Sequence, residues 1–116
     1  MQDFMLIFRG GSDASGLSPD EMQNHMQKWF VWVDELKKKD IYVGGEALTP
    51  AGKTIAGKKA LITDGPYAES KELVGGYFVV KAASLDAAVE IAKNGYPDFI
   101  FNGAVEVREV AKFDGM

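Results

Sequence analysis

The sequence predicts one α+β domain over residues 1–116, in the order strand, helix, strand, hairpin, strand, helix, strand. Three observations carry that reading. Phe4-Met5-Leu6-Ile7-Phe8 and Tyr77-Phe78-Val79-Val80 are continuous apolar runs of strand length. Two segments of helical character each follow a capping serine, Ser18 and Ser84. Glycine-bearing turns separate the pieces, and no linker or short-period repeat divides the chain.

The first strand covers residues 4–8 and stops at Gly10-Gly11. Residues 10–17 read as a polar loop. Ser18-Pro19-Asp20-Glu21 then opens a helix, with Ser as cap, Pro in the first turn and Glu three places after the cap. Met22, Met26, Trp29, Val33 and Leu36 repeat at helical spacing, which carries the helix to about residue 39. Ile41-Tyr42-Val43 begins a second strand, and Gly44-Gly45 within it marks a bulge or a close backbone approach. Thr49-Pro50-Ala51-Gly52 is a turn, and residues 54–56 and 60–63 flank Gly57-Lys58-Lys59 as a hairpin. Residues 76–80 form the next strand. Ser84 caps a helix from 85 to about 93, which ends at Asn94-Gly95. Residues 95–103 read as a loop with Pro97, and 104–110 as the last strand.

This order is that of a ferredoxin-like sandwich carrying an extra hairpin. Two helices cover only one face of a four-stranded sheet. The two apolar runs have no polar face, as in strands buried on both sides. A second copy is the simplest cover for the other face, because large apolar patches are seldom left in water. A homodimer packed sheet to sheet is therefore expected.

Composition narrows the function classes. A net charge of −4 disfavours nucleic acid as a partner, and Lys37-Lys38-Lys39 and Lys58-Lys59 are too short to form a phosphate-binding stripe. There is no cysteine, which removes thiol nucleophiles and disulfides, and the single histidine disfavours a structural zinc site. No apolar run approaches the ~20 residues of a membrane span, and no export signal is visible, so a cytoplasmic protein without membrane attachment is expected. Gly44-Gly45 and Gly75-Gly76 lack the spacing of a phosphate loop, and no cofactor is expected. No serine lies in a nucleophile elbow, which disfavours covalent acyl transfer.

Charge concentrates in one stretch, Asp64-Gly65-Pro66-Tyr67-Ala68-Glu69-Ser70-Lys71-Glu72, ahead of Gly75-Gly76-Tyr77. With Gly44-Gly45-Glu46-Ala47-Leu48 and Val105-Glu106-Val107-Arg108, this resembles the signature of the DGPF domain family within the YCII-related superfamily. Tyr67 stands where the family name has Phe, and Glu109 where Pro would be expected. The resemblance implies a dimeric α+β barrel built from ferredoxin-like protomers. It also implies a His and Asp pair of the kind suggested as a catalytic dyad in related proteins, and some members of the family are encoded beside alternative sigma factors.

His25 and Asp64 are the candidate catalytic residues. On a helix turning about 100° per residue, His25 lies roughly 60° from Met22, at the border of the apolar stripe. Its imidazole is the one side chain that ordinarily titrates near neutrality. Asp64 is either a turn acid or the carboxylate that orients His25. Gly65 and Pro66 are architectural. Tyr67, Glu69, Lys71, Glu72, Glu46 and Arg108 are candidate binding residues, with ion pairing to Glu106 or Glu72 the plainer role for Arg108. Three functions compete on this reading: acid–base chemistry on a small molecule, ligand binding without turnover, and a regulatory dimer acting on a protein such as a sigma factor.

Overall fold

The computed structural model describes residues 1–10, 16–65 and 73–113. The elements run β1 (Gln2–Arg9), α1 (Pro19–Lys38), β2 (Tyr42–Ala47), β3 (Lys53–Ala56), β4 (Leu61–Asp64), β5 (Val74–Ala82), α2 (Leu85–Gly95), a short 3-10 helix (Pro97–Phe101) and β6 (Ala104–Glu109). The main sheet has the order β2-β5-β1-β6, with each neighbouring pair antiparallel. This is the ferredoxin-like arrangement the element order predicts. β3 and β4 form a separate two-stranded sheet, the expected hairpin.

The capping box at Ser18 forms as its sequence dictates. The Ser18 hydroxyl accepts from the Glu21 backbone N–H, and the Glu21 carboxylate accepts from the Ser18 N–H. The Ser18 backbone N–H, and after it the Ser18 side chain, hold the Glu21 carboxyl below its ordinary value. The β2 irregularity falls between Tyr42 and Gly44. Beyond it, Gly45 lies under Phe78, where a side chain would collide with the ring and with the Tyr77 carbonyl.

The core lies between the sheet and the two helices. Phe4, Leu6 and Phe8 of β1 alternate into it, as do Phe78, Val80 and Ala82 of β5. Phe4, Leu6 and Val80 are fully buried, each contributing about 1.5–3 kcal/mol of transfer free energy. Phe8 stands at the centre of an aromatic cluster, with ring centroids 5.1 Å from Trp29, 4.9 Å from Phe78 and 5.3 Å from Tyr96. The buried stripe of α1 is His25, Trp32 and Leu36, with Trp29 packed against it. It is rotated toward His25 from the Met22-centred stripe expected from the sequence, and Met26 is left 43% exposed.

The opposite face of the sheet carries Met5, Ile7, Tyr77 and Val79, none of them fully covered. On the hairpin, Ile55, Leu61 and Ile62 stand well exposed. Among the described residues, no helix is long and apolar enough to cross a membrane.

Candidate functional site

One end of the core opens into a cleft of about 270 Å³ between α1 and the β1, β2 and β5 strands. Phe8, Trp29, Phe78 and Tyr96 form its walls, and Met26 and Phe30 flank them on α1. Its floor comes close to bare backbone: a Cβ on Gly76 would stand 2.7 Å from the Glu46 carbonyl oxygen. Gly76, the second of the two glycines that lead into the strand, thus lets β2 and β5 approach beneath the cleft.

Asp98 is the polar side of this space. It sits on the 3-10 helix, which Pro97 starts and which closes at Asn102 in the left-handed conformation that Asn tolerates. The turn brings Asp98 against α1. His25 Nε2 lies 2.5 Å from Asp98 Oδ1, and the Trp29 indole N–H donates to the same oxygen at 3.3 Å. A carboxylate only accepts, so the Nε2 nitrogen carries the proton in this pair. The His25 residue is 8% exposed, and its ring meets Phe101 edge to face at 4.9 Å. The Asp98 side chain is 15% exposed, and it lines the cleft where His25 does not. The order from cleft to interior is therefore carboxylate first, imidazole behind it.

The carboxylate beside His25 is thus Asp98, and the pairing expected from the sequence, His25 with Asp64, is not the one the protomer makes. Asp64 ends β4 directly opposite Lys53, and its 93% exposed side chain takes the Lys53 ammonium at 2.6 Å. A turn acid reaches the side chain its strand register places across from it, here a lysine on the same hairpin. His25 is also buried rather than at the border of the stripe, because the 3-10 helix covers it.

The other candidates separate as well. Glu46 borders the cleft floor with its backbone carbonyl, while its register partner Tyr77 places its side chain on the opposite sheet face. Arg108 lies on the opposite sheet face, 70% exposed, 3.8 Å from Glu106, which also holds Arg9 at 2.9 Å. Tyr67, Glu69, Lys71 and Glu72 lie outside the described residues. Asp98 escaped the sequence reading because 95–103 reads as loop. The signal was present on a smaller scale: Pro97 followed by an acid, three apolar residues, then Asn102-Gly103 is a one-turn helix with start and stop.

Tyr96 joins the cleft wall to this turn. Its hydroxyl lies under Gly103, where a Cβ would meet it and stand 2.9 Å from the Asp98 carbonyl oxygen. Burial first, and the Asp98 charge second, push the Tyr96 phenol from 10.0 up to about 12. Burial, followed by Glu46 and Tyr77, also raises Tyr42. A folded-state value above the unfolded one means stability that is whole below pH 10.0 and lost as pH rises through about 12. Ultraviolet titration should show a last phase near pH 12 from Tyr96, which Tyr96→Phe should remove. A last phase that survives the substitution would refute this assignment.

Residues 4–114 match the YCII-related domain. A protein of Rhizobium meliloti (strain 1021), itself named only as uncharacterized, is 38% identical over 66 residues. That match takes in 54% of this chain and 46% of the relative, so it spans about half of either protein.

Proposed function

The chain belongs to the YCII-related domain family, and from that premise we propose that its aromatic cleft is a small-molecule site in which Asp98, held by His25, transfers a proton. The observation that carries this reading is the cleft-lining carboxylate with a buried imidazole directly behind it. A carboxylate at an apolar wall is placed to take a proton from a bound molecule, and the imidazole can stabilise the charge the carboxylate bears before it takes the proton and again after it gives the proton back. In this reading Asp98 is the residue that meets the ligand, His25 is its positioning partner, and Asp64 has no role within the protomer. Glu46 contributes its backbone to the floor of the site.

Native mass spectrometry after incubation with a cell extract tests the proposal. A small molecule retained by the wild-type protein should be lost when Val33→Trp fills the cleft. Conversion to a product of altered mass should fall at least a hundredfold in Asp98→Asn, in line with the ~10²–10⁴ typical of acid–base catalysis. Retention that ignores Val33→Trp sinks the site. A ligand that is held but unchanged supports the second reading, binding without turnover, which the deep burial of His25 favours.

The same reading includes a second copy of the chain packed on the open sheet face. Met5, Ile7, Tyr77 and Val79, together with Ile55 and Ile62 of the hairpin, are the apolar surface it would cover. Sedimentation equilibrium at micromolar concentration should give twice the 12.6 kDa chain mass. A species at the single-chain mass refutes the dimer.

A further inference from the structure

We propose that the ligand of this cleft is a ring-bearing organic cation, such as a protonated amine on an aromatic or other apolar ring, and not an anion. The proposal rests on the small-molecule reading of the cleft and adds the chemical class. Asp98 is the charged side chain of the described lining, which contains no Lys, Arg or His; Glu46 meets the cleft floor with its backbone carbonyl, and its register partner Tyr77 places its side chain on the other sheet face. An anion entering there would lose water and meet a carboxylate with no opposing charge, a desolvation cost left without compensation. Arg9 cannot supply the charge, because β1 directs it to the other sheet face, where Glu106 holds it at 2.9 Å.

A cation finds two complements in the same space. Both hydrogen bonds to the Asp98 carboxylate from the described residues fall on Oδ1, from His25 and from Trp29, so Oδ2 is left to accept from an ammonium group. Trp29, Phe8 and Tyr96 then offer ring surface beside that carboxylate, and tryptophan is the strongest aromatic partner for a cation. The two bonds also fix the carboxylate, so little side-chain freedom is lost on binding. The ring of the ligand fills the apolar remainder of the cleft.

Three probes of similar size separate the possibilities: benzylamine, benzyl alcohol and benzoate, each titrated against the tryptophan fluorescence of the full chain at pH 7 and low salt. Benzylamine should bind at least tenfold more tightly than benzoate, with benzyl alcohol between them. Asp98→Asn should remove most of the advantage of the amine over the alcohol, and Val33→Trp should abolish all three signals. Benzoate binding as well as or better than benzylamine, with Val33→Trp still blocking it, overturns the cation assignment and leaves the site standing. No saturable signal from any probe overturns both.

Discussion

Replacing Gly95 by alanine is expected to destabilise the fold by about 1–3 kcal/mol, the usual cost of forcing an extra methyl into a packed core. A Cβ at this position would stand inside the Trp32 indole. Trp32 cannot yield easily. It is 4% exposed, and its ring lies 5.0 Å from Phe78 and 5.9 Å from both Phe8 and Trp29. Moving the indole therefore disturbs the cluster that walls the cleft. Thermal unfolding should fall by roughly 3–6 °C for each kcal/mol lost in a chain of this size. The double variant Gly95→Ala with Trp32→Phe supplies the check. A smaller ring makes room for the methyl, so the pair should be less damaging than the sum of the single changes. A Gly95→Ala protein as stable as wild type, or strictly additive effects, defeats the argument.

Gly95 also illustrates where sequence reading reaches its limit. Asn94-Gly95 reads as a helix stop, and α2 does end there. Yet the physical need for glycine at that point comes from α1, sixty-odd residues away, and no local pattern contains it. The elements themselves were legible because their causes are local. The Ser18 box, the Gly44-Gly45 irregularity and the two-sided apolar runs each act within a few residues. The element order then sufficed for the sheet topology, since antiparallel neighbours and short connections leave few alternatives.

The candidate site was legible only in part. His25 was found because a lone histidine beside an apolar stripe is conspicuous. Its partner was not, because two carboxylates adjoin turn signals, Asp64 before Gly65-Pro66 and Asp98 after Pro97. Strand register decides between them. β4 pairs with β3, which takes Asp64 onto the hairpin with Lys53, while the 3-10 helix folds Asp98 back onto α1. Likewise the rotation of the α1 stripe depends on what covers the helix, and a single helix cannot report that.

Removing the Asp98 carboxylate should be the most informative change in the molecule. Asp98→Ala strands two N–H donors, His25 Nε2–H and Trp29 Nε1–H. A buried donor deprived of its partner costs about 1–3 kcal/mol, so the loss should exceed that of an ordinary surface truncation severalfold. Asp98→Asn keeps one oxygen for the two donors and should retain most of the stability while losing the charge. That variant separates folding from ligand recognition. His25→Leu should also destabilise, since it leaves the carboxylate beside apolar neighbours with only Trp29 as donor. The double change His25→Leu with Asp98→Leu removes both members of the pair, and a pair replaced by apolar groups of similar bulk is close to neutral. Urea denaturation of the four proteins then yields a coupling energy. The imidazole–carboxylate contact should give a favourable coupling of about 1.5–3 kcal/mol, the range for a hydrogen bond to a charged group. Near-zero coupling would mean that His25 and Asp98 are neighbours without being a unit, and the proton-transfer reading of the cleft would lose its support. A strong coupling together with unchanged probe binding in Asp98→Asn would instead make the pair a structural clasp joining the 3-10 helix to α1.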